Sequence, residues 1–135
     1  MSRLDIVRWI DFRSVVDERG ALTFIEGMKD IPFEIKRAYY LYDVRQDRGG
    51  HAHRDTQQVI VPLAGRFVLE LSDGVESRRF ALDSPTRGVH IVPMLFIRLL
   101  DFAPGTVVLV LANTHYDKSR SIRSWEEYVQ EVRGA

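Results

Sequence analysis

The sequence predicts an all-β fold, a small barrel or sandwich with one C-terminal helix. Three observations carry that prediction. Short apolar runs recur between turn residues along most of the chain, the pattern of many short strands. Strong turns fall at Ser72-Asp73-Gly74 and Ala103-Pro104-Gly105, and Asp-Gly suits the positive φ of a tight hairpin. Only the tail changes to helical spacing.

Taken in order, residues 31–42 open with Ile31-Pro32 and then read as a strand rich in aromatics. Residues 58–71 hold two apolar runs separated by Ala64-Gly65, hence two strands. Residues 75–82 alternate weakly and residues 83–88 read as a loop. Residues 89–92 and 96–100 are strand-like runs on either side of Pro93. Residues 106–112 are continuously apolar, as in a strand covered on both faces. Ser124 followed by Glu127 forms a capping box, with a hydroxyl and a carboxylate placed to satisfy first-turn amides. Trp125, Tyr128, Val129 and Val132 follow at helical spacing, and Gly134 stands where the helix would end. Such a stripe is expected to pack on its own domain, the alternative being an interaction face.

The chain of 135 residues suits one domain over residues 1–135, large enough to bury a core without a disulfide or metal staple. It contains no cysteine, which excludes disulfides, thiolate metal sites and a cysteine nucleophile. Nineteen basic and nineteen acidic side chains balance to zero, unlike the basic field of a nucleic-acid binder. No apolar run reaches membrane-spanning length. The start, Met1-Ser2-Arg3-Leu4-Asp5, is charged early and lacks a signal-peptide stretch, so a cytoplasmic protein with a small-molecule partner is expected.

The chemistry concentrates in Arg48-Gly49-Gly50-His51-Ala52-His53. On a strand, His51 and His53 share a face and Ala52 points away. The two glycines let the backbone turn sharply into that strand. A glycine-led His-x-His is also the start of the metal-binding cupin pattern, which continues with a carboxylate, a glycine and a later histidine. Gly65 fits the closing glycine if Gln58 takes the carboxylate position, and the later histidine then falls on Arg98. A neutral amide is a poor ligand for a divalent cation and a guanidinium is none. No metal and no cofactor is therefore expected, and the imidazoles are left as acid/base groups that titrate near neutral pH. His90 and His115 stand alone and read as surface or structural residues, and Trp9 and Phe12 as packing residues.

Several further segments fall into order with this motif. They are Asp17-Glu18-Arg19-Gly20, Ile31-Pro32-Phe33, Lys36-Arg37-Ala38-Tyr39-Tyr40, Gln58, Gly65, Leu82-Asp83-Ser84-Pro85, Asp101-Phe102, Tyr116-Asp117 and Ile122-Arg123. Together they resemble the cupin-type nucleotide-sugar 3,4-ketoisomerases, which act on dTDP-4-keto-6-deoxy-D-glucose. The resemblance runs almost end to end. It implies a jelly-roll barrel and a homodimer with exchanged N-terminal strands, in which case Trp9 and Phe12 would pack on the partner subunit. It also implies a site that uses His51, His53, Arg19 and Tyr39, with Gln58 and Arg37 beside them. Phe96-Ile97-Arg98 departs from the family, which often has a Trp there, and the loop before the histidine motif is short. Both differences bear on the stereochemistry of the product.

Moving a ketone from C4 to C3 requires loss of the C3 proton, an enediol, and proton delivery at C4, with the developing oxyanion stabilised. His51 is the expected principal acid/base, His53 an assistant, and Tyr39 a hydrogen-bond donor or shuttle. Tyr39 and Tyr40 alternate, so one at most points inward. A diphosphate suits the planar fork of arginine, and Arg19, Arg37 and Arg48 are the candidates. The competing functions are a nucleotide-sugar 3,5-epimerase, a non-catalytic sugar-binding cupin and a metal-dependent cupin enzyme.

Overall fold

The computed structural model describes residues 2–134. A short 3-10 turn, Arg3–Ile6, is capped by the Ser2 hydroxyl, which accepts from the Leu4 amide. The strands follow as β1 (Arg8–Asp11), β2 (Arg13–Asp17), β3 (Gly20–Phe24), β4 (Arg37–Leu41), β5 (Arg48–His53) and β6 (Gln58–Ala64). Then come β7 (Phe67–Ser72), β8 (Ser77–Leu82), β9 (Arg87–Ile91), β10 (Phe96–Leu100), β11 (Val107–Ala112) and β12 (Ser121–Ile122). The chain ends in helix α1 (Trp125–Gly134).

Pairing is antiparallel between all these strands and builds two five-stranded sheets, in the orders β1-β9-β6-β11-β4 and β12-β5-β10-β7-β8. The sheets face each other as a cupin-like jelly roll. Ile60, Val89, Val108 and Val110 of the first meet Leu69, Leu71, Phe80, Leu82 and Leu99 of the second in the main core. Each sheet is also covered on its outer face, which explains the apolar runs that do not alternate. Phe12, Ile31 and Phe33 lie over Val59, Val61 and Leu111 on the first sheet. Tyr128 of α1 lies over Ala52, Phe96 and Ile122 on the second. The expected helix therefore packs on its own domain, with the Ser124 hydroxyl accepting from the Glu127 amide at 3.3 Å. Among the described residues, no helix is long and apolar enough to cross a membrane.

One expectation is corrected. The strand read over residues 31–42 is only Arg37–Leu41. Before it the chain folds back on itself, with Met28 N–H donating to the Phe33 carbonyl at 3.0 Å, so that Ile31 and Phe33 form a lid over a sheet. Pro32, which lacks an N–H, fits such a loop better than a ladder. Trp9 and Phe12 pack on their own chain: Trp9 stands edge-on to Phe80 at 5.7 Å, and β1 pairs with β9. The hairpin β2–β3 is different. Among the described residues it pairs only with itself, and it leaves Val15, Val16 and Leu22 exposed.

Candidate active site

The opening between the two sheets is walled by β4, β5, β10 and the segment after Asn113. On β4, alternation sends Arg37, Tyr39 and Leu41 inward, while Tyr40 turns outward and lies 5.9 Å from the Tyr42 ring. On β5, His51 and His53 face inward with their rings edge-to-face at 4.9 Å. Ala52 between them is fully buried under α1.

Arg48 also reaches this cavity, although it is three residues from His51 and simple alternation would turn it away. A bulge accounts for it. Opposite β10, Ile97 pairs with His51 and Arg98 pairs with Gly49, so Gly50 is left without a partner. Gly50 has φ 77° and Gly49 φ 107°. A Cβ on Gly49 would stand 2.6 Å from the Ile97 carbonyl oxygen, so the bulge requires glycine there.

Two adjoining cavities result, of about 200 Å³ and 580 Å³. Both are lined by Tyr39, Leu41, Arg48, His51 and Arg123. The smaller reaches inward to Gln58, Ile60 and Val110, and the larger opens past Arg37, His53 and Tyr116. Among the described residues, no aspartate or glutamate lines either one. The mouth carries Arg37, Arg48 and Arg123, and the Arg37 Nε is buried without a hydrogen-bond partner among the described residues.

Gln58 is buried at the base and ties the site together. Its Nε2 donates to the Tyr39 hydroxyl oxygen at 2.9 Å and lies 3.3 Å from His53 Nε2. Burial, reinforced by His51, Arg37 and Arg123 and opposed by Asp55, pushes His53 down to about 4. Burial and then Arg123 lower His51. Burial raises Tyr39, against the pull of Arg37, Gln58 and Arg48. At neutral pH the site thus holds two uncharged imidazoles, which can accept protons, and a phenol that keeps its own.

Among the sequence-predicted residues, Tyr39, Arg37, Arg48, His51, His53 and Gln58 come together here. Arg19 does not: it sits at the tip of the β2–β3 hairpin, exposed and paired with Asp17 at 2.8 Å. Arg98, the supposed later ligand position, faces outward, on the same surface hollow as Phe96 and Trp125, and lies 3.4 Å from Glu70. The position opposite His51 is Ile97, which cannot ligate a metal. Among the described residues, no group of three or more His, Cys, Asp or Glu is placed to hold a metal ion. His90 is on the outer face of its sheet, bonded to the Gln57 amide oxygen at 2.8 Å, and His115 is exposed.

Arg123 and Tyr116 are lining residues that sequence reasoning left without a role. Arg123 follows a two-residue strand, too short to show periodicity. It turns inward because Ile122 beside it is buried outward, against Ala52.

An internal pair of neutral imidazoles at the base of a cationic mouth defines the class, a cupin-like protein equipped for acid/base chemistry on an anionic ligand. The chain belongs to the FdtA family, described as WxcM-like, C-terminal, whose model matches residues 5–133. It is 39% identical over 121 residues to a TDP-4-oxo-6-deoxy-alpha-D-glucose-3,4-oxoisomerase of Aneurinibacillus thermoaerophilus, covering 88% of this chain and 87% of that one. Among solved structures it is similar to QdtA, a sugar 3,4-ketoisomerase from Thermoanaerobacterium thermosaccharolyticum in complex with TDP. That match has 38% identity, a TM-score of 0.91 and 95% of each chain covered. A 3,4-ketoisomerase from Helicobacter canadensis matches at 34% identity and a TM-score of 0.92, over 95% of this chain and 98% of that one.

Proposed function

We propose that this protein is a 3,4-ketoisomerase that converts dTDP-4-keto-6-deoxy-D-glucose to a dTDP-3-keto-6-deoxyhexose. One observation carries the reading: His51 and His53 are held uncharged and edge-to-face beside the Tyr39 phenol. The Aneurinibacillus relative is named for this TDP-linked keto sugar, and the sugar 3,4-ketoisomerase QdtA is bound to TDP.

In the first half-reaction His51 takes the C3 proton. The C–H electron pair becomes the C3=C4 bond, and the C4 carbonyl pair moves onto O4. Tyr39, protonated at neutral pH, donates to O4 as charge develops there. In the second half, O3 gives its proton to the Tyr39 oxygen, which has passed its own to O4; the O3–H pair forms the C3 carbonyl, and the C3=C4 pair takes the proton held by His51 onto C4. One hydrogen has moved from C3 to C4 and one from O3 to O4, so no electron acceptor enters. Arg37, Arg48 and Arg123 receive the diphosphate, and the unpartnered Nε of Arg37 is a donor in waiting.

The active form is a homodimer in which the β2–β3 hairpin crosses to the partner subunit. A two-stranded ribbon on its own is marginal in water, and this one exposes Val15, Val16 and Leu22. The crossing would carry Arg19 toward the partner's site.

The test is incubation with dTDP-4-keto-6-deoxy-D-glucose in deuterated water, followed by NMR. Loss of the C4 ketone and growth of a C3 ketone are expected. Deuterium at C3 and C5 with the C4 ketone intact would make the protein an epimerase. A bound but unchanged sugar would make it a binding protein.

A further inference from the structure

We propose that Gln58 is a positioning residue: its amide nitrogen fixes His53 as the Nδ1–H tautomer and leaves the Tyr39 proton free for the substrate. His51 then carries the free imidazole lone pair of the site.

Gln58 is 3% exposed and sits on β6, paired with Ile91 on one side and Ala112 on the other. Its backbone is therefore fixed by a ladder on both edges. The amide nitrogen lies 2.9 Å from the Tyr39 oxygen and 3.3 Å from His53 Nε2. An amide NH2 has two protons to give and no lone pair to offer. The Tyr39 oxygen must accept, which leaves its own O–H unspent and free to point into the cavity. His53 Nε2 must also accept, so the ring proton sits on Nδ1. Among the described residues, no group hydrogen-bonds the His51 ring. The two histidines are thus unequal before any ligand arrives.

That inequality has chemical content. Two neutral imidazoles at 4.9 Å with free lone pairs would compete for one proton. Engaging one of them directs the C3 proton to the other. A carboxylate in place of the amide would reverse the arrangement. It would accept from both neighbours, put the His53 proton on Nε2 and favour the imidazolium form. A glutamine, and not a glutamate, is what a single-base site needs here. The catalytic part of this inference rests on the ketoisomerase reading; the tautomer does not.

The experiment is long-range 15N–1H correlation NMR of the imidazoles in the ligand-free, full-length protein above pH 7. Wild type is expected to show His53 protonated at Nδ1 only. In Gln58→Leu the His53 signals should shift to a mixture of tautomers. The same variant should lose about tenfold in kcat, the scale of one buried hydrogen bond, with KM nearly unchanged. Gln58→Glu should move the acid limb of the pH–rate profile upward. A wild-type His53 protonated at Nε2 overturns the proposal, as does a Gln58→Leu enzyme with unaltered kcat and pH profile. If Gln58→Leu does not fold, the wild-type tautomer decides. An Nδ1–H His53 in a protein without ketoisomerase activity would sink the function and leave the tautomer assignment standing.

Discussion

At the scale of single residues, charge state governs the site. His53, at about 4 against an ordinary 6.5, is uncharged in the fold because burial penalises the cation. A depressed histidine favours the folded state only while it is neutral. Its contribution is complete above pH 6.5 and is lost as pH falls from there through about 4. His51 and His90 are lowered too and act in the same direction. Urea denaturation should therefore show stability falling across that window, and His53→Gln should flatten part of the fall. Catalysis should follow the same sign, with kcat/KM falling along an acid limb that lies below the ordinary imidazole value. His51→Asn is expected to lower kcat by about 10² to 10⁴, the range for a lost general base. TDP binding by calorimetry should persist, because the mouth arginines are untouched. An unchanged rate would remove His51 from the mechanism. The shared face of the two histidines was legible from their spacing. The inward turn of Arg48 was not, because alternation is broken by a bulge that only pairing with β10 reveals. The outward turn of Arg98 was hidden too. It belongs to a charged row across three strands, Arg98, Glu70 and Arg79, visible only once register is known.

At the scale of elements, β5 is the part that tolerates least. In Gly49→Ala the new methyl would meet backbone, not a flexible side chain, at a φ of 107°. Gly105 has φ 79° but nothing near its missing Cβ. Gly105→Ala should cost on the order of 1 kcal/mol, the ordinary penalty for positive φ. Gly49→Ala should cost clearly more and take activity with it. Paired thermal melts and rate assays check the contrast; equal effects would mean that β10 yields easily. On the helix, Ser124→Ala should lower stability by about 1 kcal/mol through loss of the cap. Strands of continuous apolar character and the capped helix were legible, since burial and capping leave local marks. The strands β1–β3 were not, being short, charged or exposed, and residues 31–36 were misread because a lid loop buries Ile31 and Phe33 as thoroughly as a strand would.

At the scale of the whole molecule, Arg19 separates a one-chain site from a shared one. If the β2–β3 hairpin crosses between subunits, Arg19→Ala and His51→Asn mixed under refolding conditions form hybrid dimers. Each hybrid holds one site with both defects and one with neither. Activity should then return above that of either parent, and its absence would mean that Arg19 does not serve the partner's site. That expectation comes from the resemblance alone, because a contact between chains leaves no local pattern in the sequence. The unpaired Gly50 also has a meaning for the molecule as a whole. It acts as a parity switch for everything downstream in β5. With it deleted and the ladder closed, either Arg48 is turned outward, or Ala52 faces the cavity and both imidazoles press against the helix. A single missing residue, chemically the blandest in the motif, would exchange the inside of this protein for its outside. Deletions here should be far less forgiving than any substitution of a neighbouring side chain.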